Sequence, residues 1–403
     1  MDIHFYSEEF KQLLHKYEEL QDNNISEFLD SEELTDIAEY YCTIGKEDKA
    51  LEAVNYANHL YPTATEPLVF KSRMALLIHN DVSQANEIAE TIVDKSDSDY
   101  MYLKAEIMIA DHQVSLADQY LQEQYERLID VDSKDEFIID SAALFSNYEE
   151  IDYTEKWLNR AGDIDNDDYK EIKVRILKGR GKYKESETLL NKLIDKNPYS
   201  CNYWNQLAQI QFLNNDIQGA ITSSEYSIAI NPNDEDAILN KANGLFSLDN
   251  FKESLKYYQL YKQTCHNADI SVIDVTIGHI YLILGYPIEA QDSYQQAIDE
   301  SFNKDSTLIH VGISIFDNGY FKIAYNLFNL LLPKVGKDWT EGFAYLARCC
   351  YELNKTEEYK QYLQLAIERN PVECQDVLSD LYPQGMAIKD YPSINILNNN
   401  SIN

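Results

Sequence analysis

The 403-residue chain carries 69 acidic against 34 basic residues, a net charge of −35, with 44% hydrophobic and 12% aromatic residues. That much apolar surface supports a continuous core and excludes a disordered chain, while the charge repels phosphate backbones and anionic headgroups and so excludes nucleic acid and membrane surfaces as partners. Only 9 Pro and 13 Gly are too few turn formers for an α/β or all-β protein of this length, so long helices joined by short polar turns are expected.

The N-terminus, Met1-Asp2-Ile3-His4-Phe5, lacks a basic region followed by an apolar stretch, and no run of about 18 apolar residues could span a bilayer. A cytoplasmic, soluble protein is expected. Residues 1–30 place Phe10, Leu13, Leu14, Tyr17 and Leu20 at helical spacing, which predicts an amphipathic capping helix.

From Ser31 onward one ladder of small and aromatic residues returns again and again. It runs Ala38, Tyr41, Ala50, Val54, Ala57, Pro62, then reappears as Gly278, Tyr281, Ala290, Tyr294, Ala297 and as Gly312, Ile315, Ala324, Phe328, Leu331. Weaker copies start near positions 73, 105, 142, 174, 208, 242 and 347, in steps of about 34 residues, the length of one helix-turn-helix unit. Small residues at the crossing let two helices approach, and the larger ones fill the space between neighbouring pairs. One pair alone would expose an apolar face, so the repeats from 31 to 371 must stack into a single array of about ten units. Turns are expected between the two helices of a unit at Gly45-Lys46, Gly181-Lys182, Asn214-Asn215-Asp216, Gly285-Tyr286-Pro287 and Asn318-Gly319,.

Within the array, Asp163 to Asp167 opens like a calcium loop. The Gly and Glu such a loop requires are replaced by Asp168 and Val174, which favours a solvated acidic turn. A basic run follows, Lys170, Lys173, Arg175, Lys178, Arg180, Lys182 and Lys184. It reads either as a docking patch for an acidic segment, with Lys173, Arg175, Lys178, Arg180 and Lys182 at its centre, or as internal balance for the acidic turn. Six scattered Cys without a C-x-x-C pair are expected to be reduced thiols, and Cys349 and Cys350, adjacent on one helix, point to different faces and cannot share one tetrahedral metal. Residues 372–383 read as a closing helix and 384–403, rich in Asn and Ser without periodicity, as a flexible tail.

The stretch from Cys201 to Asp234, with Trp204, Leu207, Ala208, Ala220 and Pro232, resembles the tetratricopeptide repeat family. The resemblance extends from Ser31 to Pro371 and implies an all-α, right-handed α-α superhelical solenoid of about ten tetratricopeptide-like helix-turn-helix repeats. It further implies that first-helix side chains facing away from the second-helix layer line a concave groove; here those are Asn202, Asn205, Gln209, Leu239, Asn243, Phe246, His279 and Leu282. Asn and Gln offer donor and acceptor together to a peptide backbone, and Phe246 or Leu282 would be apolar footholds. The Lys/Asn/Arg clamp of the chaperone-adaptor branch is absent.

Signatures of nucleotide, zinc-protease and esterase chemistry (G-x-x-x-x-G-K-[ST], G-x-G-x-x-G, H-E-x-x-H, G-x-S-x-G) do not occur,. The expectation is therefore a non-enzymatic scaffold or adaptor, without cofactor or metal, that binds a protein or peptide with a basic or neutral segment. The alternative is a regulatory or assembly factor that works by self-association as a homo-oligomer.

Overall fold

The computed structural model describes residues 5, 7–23, 29–162, 166–265, 269–336 and 338–393. Its Cα framework divides into two compact units, Met1–Pro198 and Tyr199–Asn403. The first opens with α1 (Glu8–Asn23) and continues as five helix pairs: α2–α3 (Ser31–Thr43, Glu47–Leu60), α4–α5 (Thr65–Leu77, Val82–Thr91), α6–α7 (Ser98–Ala110, Val114–Arg127), α8–α9 (Val131–Asn147, Ile151–Leu158) and α10–α11 (Asp167–Gly179, Tyr183–Lys196). The second holds five more: α12–α13 (Cys201–Leu213, Ile217–Ile230), α14–α15 (Glu235–Ser247, Phe251–Thr264), α16–α17 (Ser271–Ile283, Pro287–Glu300), α18–α19 (Lys304–Asp317, Phe321–Leu331) and α20–α21 (Phe343–Glu352, Thr356–Arg369), closed by α22 (Pro371–Leu378). The ten pairs follow the ten copies of the sequence ladder. Within each unit a pair packs on itself and on the first helix of the next pair.

Every pair turns by the same device. One residue between its helices has positive φ, at 45, 80, 112, 149, 181, 215, 249, 285, 319 and 354, and the next backbone N–H reaches back over the end of the first helix, as Lys46 does to the Tyr41 carbonyl, Glu150 to Phe145 and Lys355 to Cys350. This is the Schellman closure of a helix C-terminus. Glycine fills the left-handed position in only four of the ten turns; Asn80, Asn215 and Asn354, and less comfortably His112, Glu149 and Asp249, fill the rest, where a Cβ costs about 1 kcal/mol or more.

The crossing point of each pair explains the small residues. Ala50, Ala85, Ala117, Ala220, Ala290 and Ala324 are buried on their second helices. Where serine replaces alanine the hydroxyl is satisfied across the crossing: Ser186 donates to the Val174 carbonyl at 3.0 Å and Ser254 to that of Ala242 at 2.9 Å. Gly278 and Gly312 make room for a ring on the partner helix. A Cβ there would fall 2.4 Å from Tyr294 and 2.6 Å from Phe328, well inside van der Waals contact.

At the start of the chain, Phe10 and Tyr17 of α1 are buried against Tyr40 and Tyr41, with ring centroids 5.3 and 6.4 Å apart. At the other end α22 stops at Leu378, short of the expected closing helix, and a 3₁₀ turn follows over Ser379–Leu381. Of the expected tail, flexible or loosely docked, residues 384–393 are described, and Met386, Ile388 and Tyr391 pack against the last repeat. Tyr391 is buried and stacks on Tyr382 at 3.9 Å, and Tyr382 in turn bonds Tyr359 through their hydroxyls at 2.6 Å. Two aromatic rings bury enough apolar area to hold an otherwise polar segment in place. Residues 394–403 lie outside the described residues, as do Asp163–Asp165 of the acidic turn; Asn166 beyond it caps α10 by accepting from the Tyr169 N–H.

Candidate functional site

The first helices of the second unit carry all eight residues expected to face a groove, and the structure separates them into four groups. Gln209 and Asn243 meet in one cleft of about 210 Å³ between α12 and α14, lined also by Phe212, Leu213 and Asn240. Gln209 is exposed, as is Asn202, which lies along α12 and accepts a hydrogen bond from Gln206. Asn243 accepts the Tyr258 hydroxyl at 2.6 Å, leaving its amide N–H₂ as the group it can offer a ligand.

Asn205 is a correction to the sequence reading. It is 7% exposed, and its amide donates to both carboxylate oxygens of Asp234 at 3.0 Å. Asp234 also accepts from Ser227 at 2.6 Å and caps α14 through the Ala237 N–H. Asn205 therefore holds α12 to the start of the next repeat and does not face a groove. Its replacement by Ala should cost about 1–3 kcal/mol, because a buried carboxylate loses one of its donors, with no change in binding at the cleft; denaturation by urea alongside a binding assay checks both.

Leu239, Phe246 and Leu282 are likewise half-buried in packing. Leu239 and Phe246 join the cluster around Ala242 and Tyr258, Leu282 the one around Ala290 and Tyr294. The exposed apolar side chains at this face are instead Phe212 and Leu213, 38% and 52% exposed. The sequence held a signal for them: they lie three and four residues after Gln209 and so share its helical face.

His279 is wired into the fold. Its Nδ1 lies 3.0 Å from the Ser314 hydroxyl and 3.1 Å from the Asn318 amide nitrogen, and the Ser314 and Tyr294 hydroxyls are hydrogen-bonded to each other at 2.7 Å. Burial pushes the imidazole pKa down, against the pull of nearby Asp317. Among the described residues no group of three or more His, Cys, Asp or Glu is placed to hold a metal ion.

In the first unit the basic run is partly balanced from within. Arg180 bridges Asp152 at 2.6 Å and Glu155 at 2.8 Å, Arg175 donates to Asn147 at 2.8 Å, and Lys170 lies 4.0 Å from Asp167. Lys173 and Lys178 are half-buried along α10, and Lys182 is exposed in the turn after it. The first helices of the same unit carry a carboxylate face: burial raises the pKa of Asp99 and Asp140, and neighbouring carboxylates push both in the same direction.

A tetratricopeptide repeat family model matches residues 275–304, which covers most of α16, its turn and α17. No curated protein matches the chain in sequence. Among solved structures, that of MamA is 15% identical with a TM-score of 0.35, covering 40% of this chain and 93% of its own. YrrB, described as a tetratricopeptide-repeat protein with an unusual peptide-binding site, is 14% identical with a TM-score of 0.33, covering 48% of this chain and 98% of its own. The Cut9–Hcn1 hetero-tetramer of the APC/C gives 13% identity and a TM-score of 0.39 over 98% of this chain and 92% of that one.

Proposed function

We propose that this array of tetratricopeptide repeats is a protein-binding scaffold that holds an extended, basic or neutral segment of a partner in the cleft between α12 and α14. The observation that carries the reading is the composition of that cleft: exposed Phe212 and Leu213 beside the amides of Gln209, Asn240 and Asn243. Alkyl and aromatic surface supplies affinity, and amides pair with the donors and acceptors of an extended backbone. Asn240 adds a further polar group, since its amide nitrogen is buried with no partner among the described residues, a deficit that a water, or a peptide carbonyl once the side chain turns toward the cleft, would repair. None of these five side chains is a nucleophile, acid or base, so the reading is one of binding without catalysis. The acidic surface, including Asp99 and Asp140 in the first unit, favours a basic partner.

Leu213→Lys is the discriminating variant. A lysine at the end of α12 suits the helix dipole and leaves the fold intact, while it removes the apolar foothold and repels a basic segment. Capture of partners from native lysate should recover a chain with the wild type that the variant loses, a weakening of about tenfold or more, in line with the burial of one leucine. Recovery of the same partner at the same level would sink the reading.

Self-association is favoured by a different observation. Ile288 and Ile323, 73% and 55% exposed, lie with Tyr286 and Tyr320 on the turn edges of adjacent pairs. Sedimentation of a single species at monomer mass across concentration would exclude this second reading.

A further inference from the structure

The same face of the second unit holds a second cleft, of about 440 Å³, further along at α18, α20 and α22. Its wall is aromatic: the Phe316 and Tyr345 rings meet edge to face at 5.2 Å. Around them stand Asp317, Asp376, Asp380 and Arg348. Arg348 is tied to Asp380 and, at 2.8 Å, to Glu352. Asp317 and Asp376 make no hydrogen bond or ion pair among the described residues, so the cleft keeps an excess of negative charge.

Those two carboxylates are also set against the fold. Each lies in the last turn of its helix, α18 or α22, and neither helix has a basic residue there. A carboxylate at the negative end of a helix dipole destabilises it. Burial raises the pKa of Asp317 in addition, opposed by His279. Tyr345 is pushed up to about 12 by burial and by the negative charge of Asp317, Glu373 and Asp376, so carboxylates from α18 and α22 act on one ring.

We propose that this cleft receives the cationic side chain, arginine or lysine, of the bound partner, with the cation over the Phe316 and Tyr345 rings and between the Asp317 and Asp376 carboxylates. The volume lies within the range of ligand pockets, the aromatic wall attracts a cation through the ring quadrupole, and the two exposed carboxylates, neither of them in an ion pair with Lys or Arg among the described residues, supply the complementary charge,. The proposal deepens the scaffold reading and rests on it for the identity of the ligand as part of a protein.

The test separates the two. The full chain is titrated with the blocked tripeptide acetyl-Gly-Arg-Gly-amide and with its citrulline counterpart, the neutral isostere, using saturation-transfer NMR, which detects weak binding without needing the natural partner. Wild type should bind the arginine peptide about tenfold more tightly than the citrulline peptide, and D317N/D376N should lose about that factor. The charge-matched control E289Q/D292N, on α17, should keep it. Thermal melting of D317N/D376N should show no loss of stability, since two carboxylates leave unfavourable helix ends. Unchanged arginine binding in D317N/D376N, or an equal loss in E289Q/D292N, would overturn the proposal. A Leu213→Lys chain that still binds the arginine peptide but captures no partner would leave this cleft standing as a cation site and locate the peptide foothold at α12 and α14; arginine binding alone, with capture insensitive to Leu213, would remove the scaffold reading at that cleft and keep the cation site.

Discussion

Replacing Trp157 by Ala lowers the stability of the first unit by about 3–5 kcal/mol, the cost of deleting a fully buried aromatic side chain together with the cavity it leaves. Trp157 is 0% exposed and belongs to α9, a helix of eight residues. Its ring packs edge-on to Tyr125 of α7 at 6.0 Å and against Phe137 of α8 at 5.9 Å, Arg160 covers it at 4.0 Å, and its indole N–H donates to Asp118 at 3.0 Å. One side chain therefore joins three helices. So short a helix has little stability of its own and depends on this packing. Trp157→Phe keeps much of the apolar area but removes one of the donors to Asp118, which stays paired with Lys156, and is expected to fall between wild type and Ala. Urea denaturation followed by far-ultraviolet circular dichroism measures the series; a loss under about 1 kcal/mol for the Ala variant would show that the neighbours close over the gap, contrary to expectation.

The second large effect concerns a buried charge. Asp274, in the first turn of α16, has a side chain only 2% exposed and is bonded by Lys262 of α15, itself 18% exposed. Its Oδ2 has no partner among the described residues. Burial raises the pKa of this carboxyl, and the bond and charge of Lys262 pull it back only in part. Lys262→Met removes the compensation and leaves an acid in an apolar setting, at a cost of about 3–5 kcal/mol near neutral pH.

The pH dependence follows from the direction of the shift. A carboxyl held above its ordinary value of about 3.9 binds its proton more tightly in the folded chain, so the stability it contributes is fully present below the unfolded pKa and is lost as pH rises through the folded one. The deficit of the Lys262→Met variant relative to wild type should thus shrink as pH falls toward about 4. Adding Asp274→Asn to that variant should recover most of the loss at pH 7. Equal deficits at both pH values would mean that Lys262 matters for its packing alone and not for the charge it compensates.

The repeat was legible because it is written in local residue size. A small residue where two helices cross and an aromatic or branched residue four positions later recur at a spacing that survives even when serine, threonine or valine replaces alanine, as at Ser186, Thr154 and Val174. Burial of the whole ladder in register then follows from close packing. Half of the turns were readable for the same reason, since Gly45, Gly181, Gly285, Gly319 and Asn215 are residues that accept positive φ,. His112, Glu149 and Asp249 hold the same conformation without announcing it, because the packing of each pair imposes the turn regardless of which residue sits there.

The candidate site was less legible because helical position alone does not say whether a polar side chain faces a neighbour or the solvent. Asn205 and Gln209 are one helical turn apart and of similar chemistry, yet Asn205 meets Asp234, 29 residues on, while Gln209 opens on a cleft. Phe246 and Leu282 are as apolar as Phe212 and Leu213, but the first two are covered by the next pair and the last two are not. Asp317 and Asp376 lie on helices far apart in the chain and share a cleft only because α18, α20 and α22 stack. The sequence by itself determined that the chain is an array of helix pairs, how many there are and which small residues make their crossings, since these depend on periodic local size. Tertiary structure alone decided which polar and apolar side chains remain available to a partner, since that depends on what the neighbouring repeat covers.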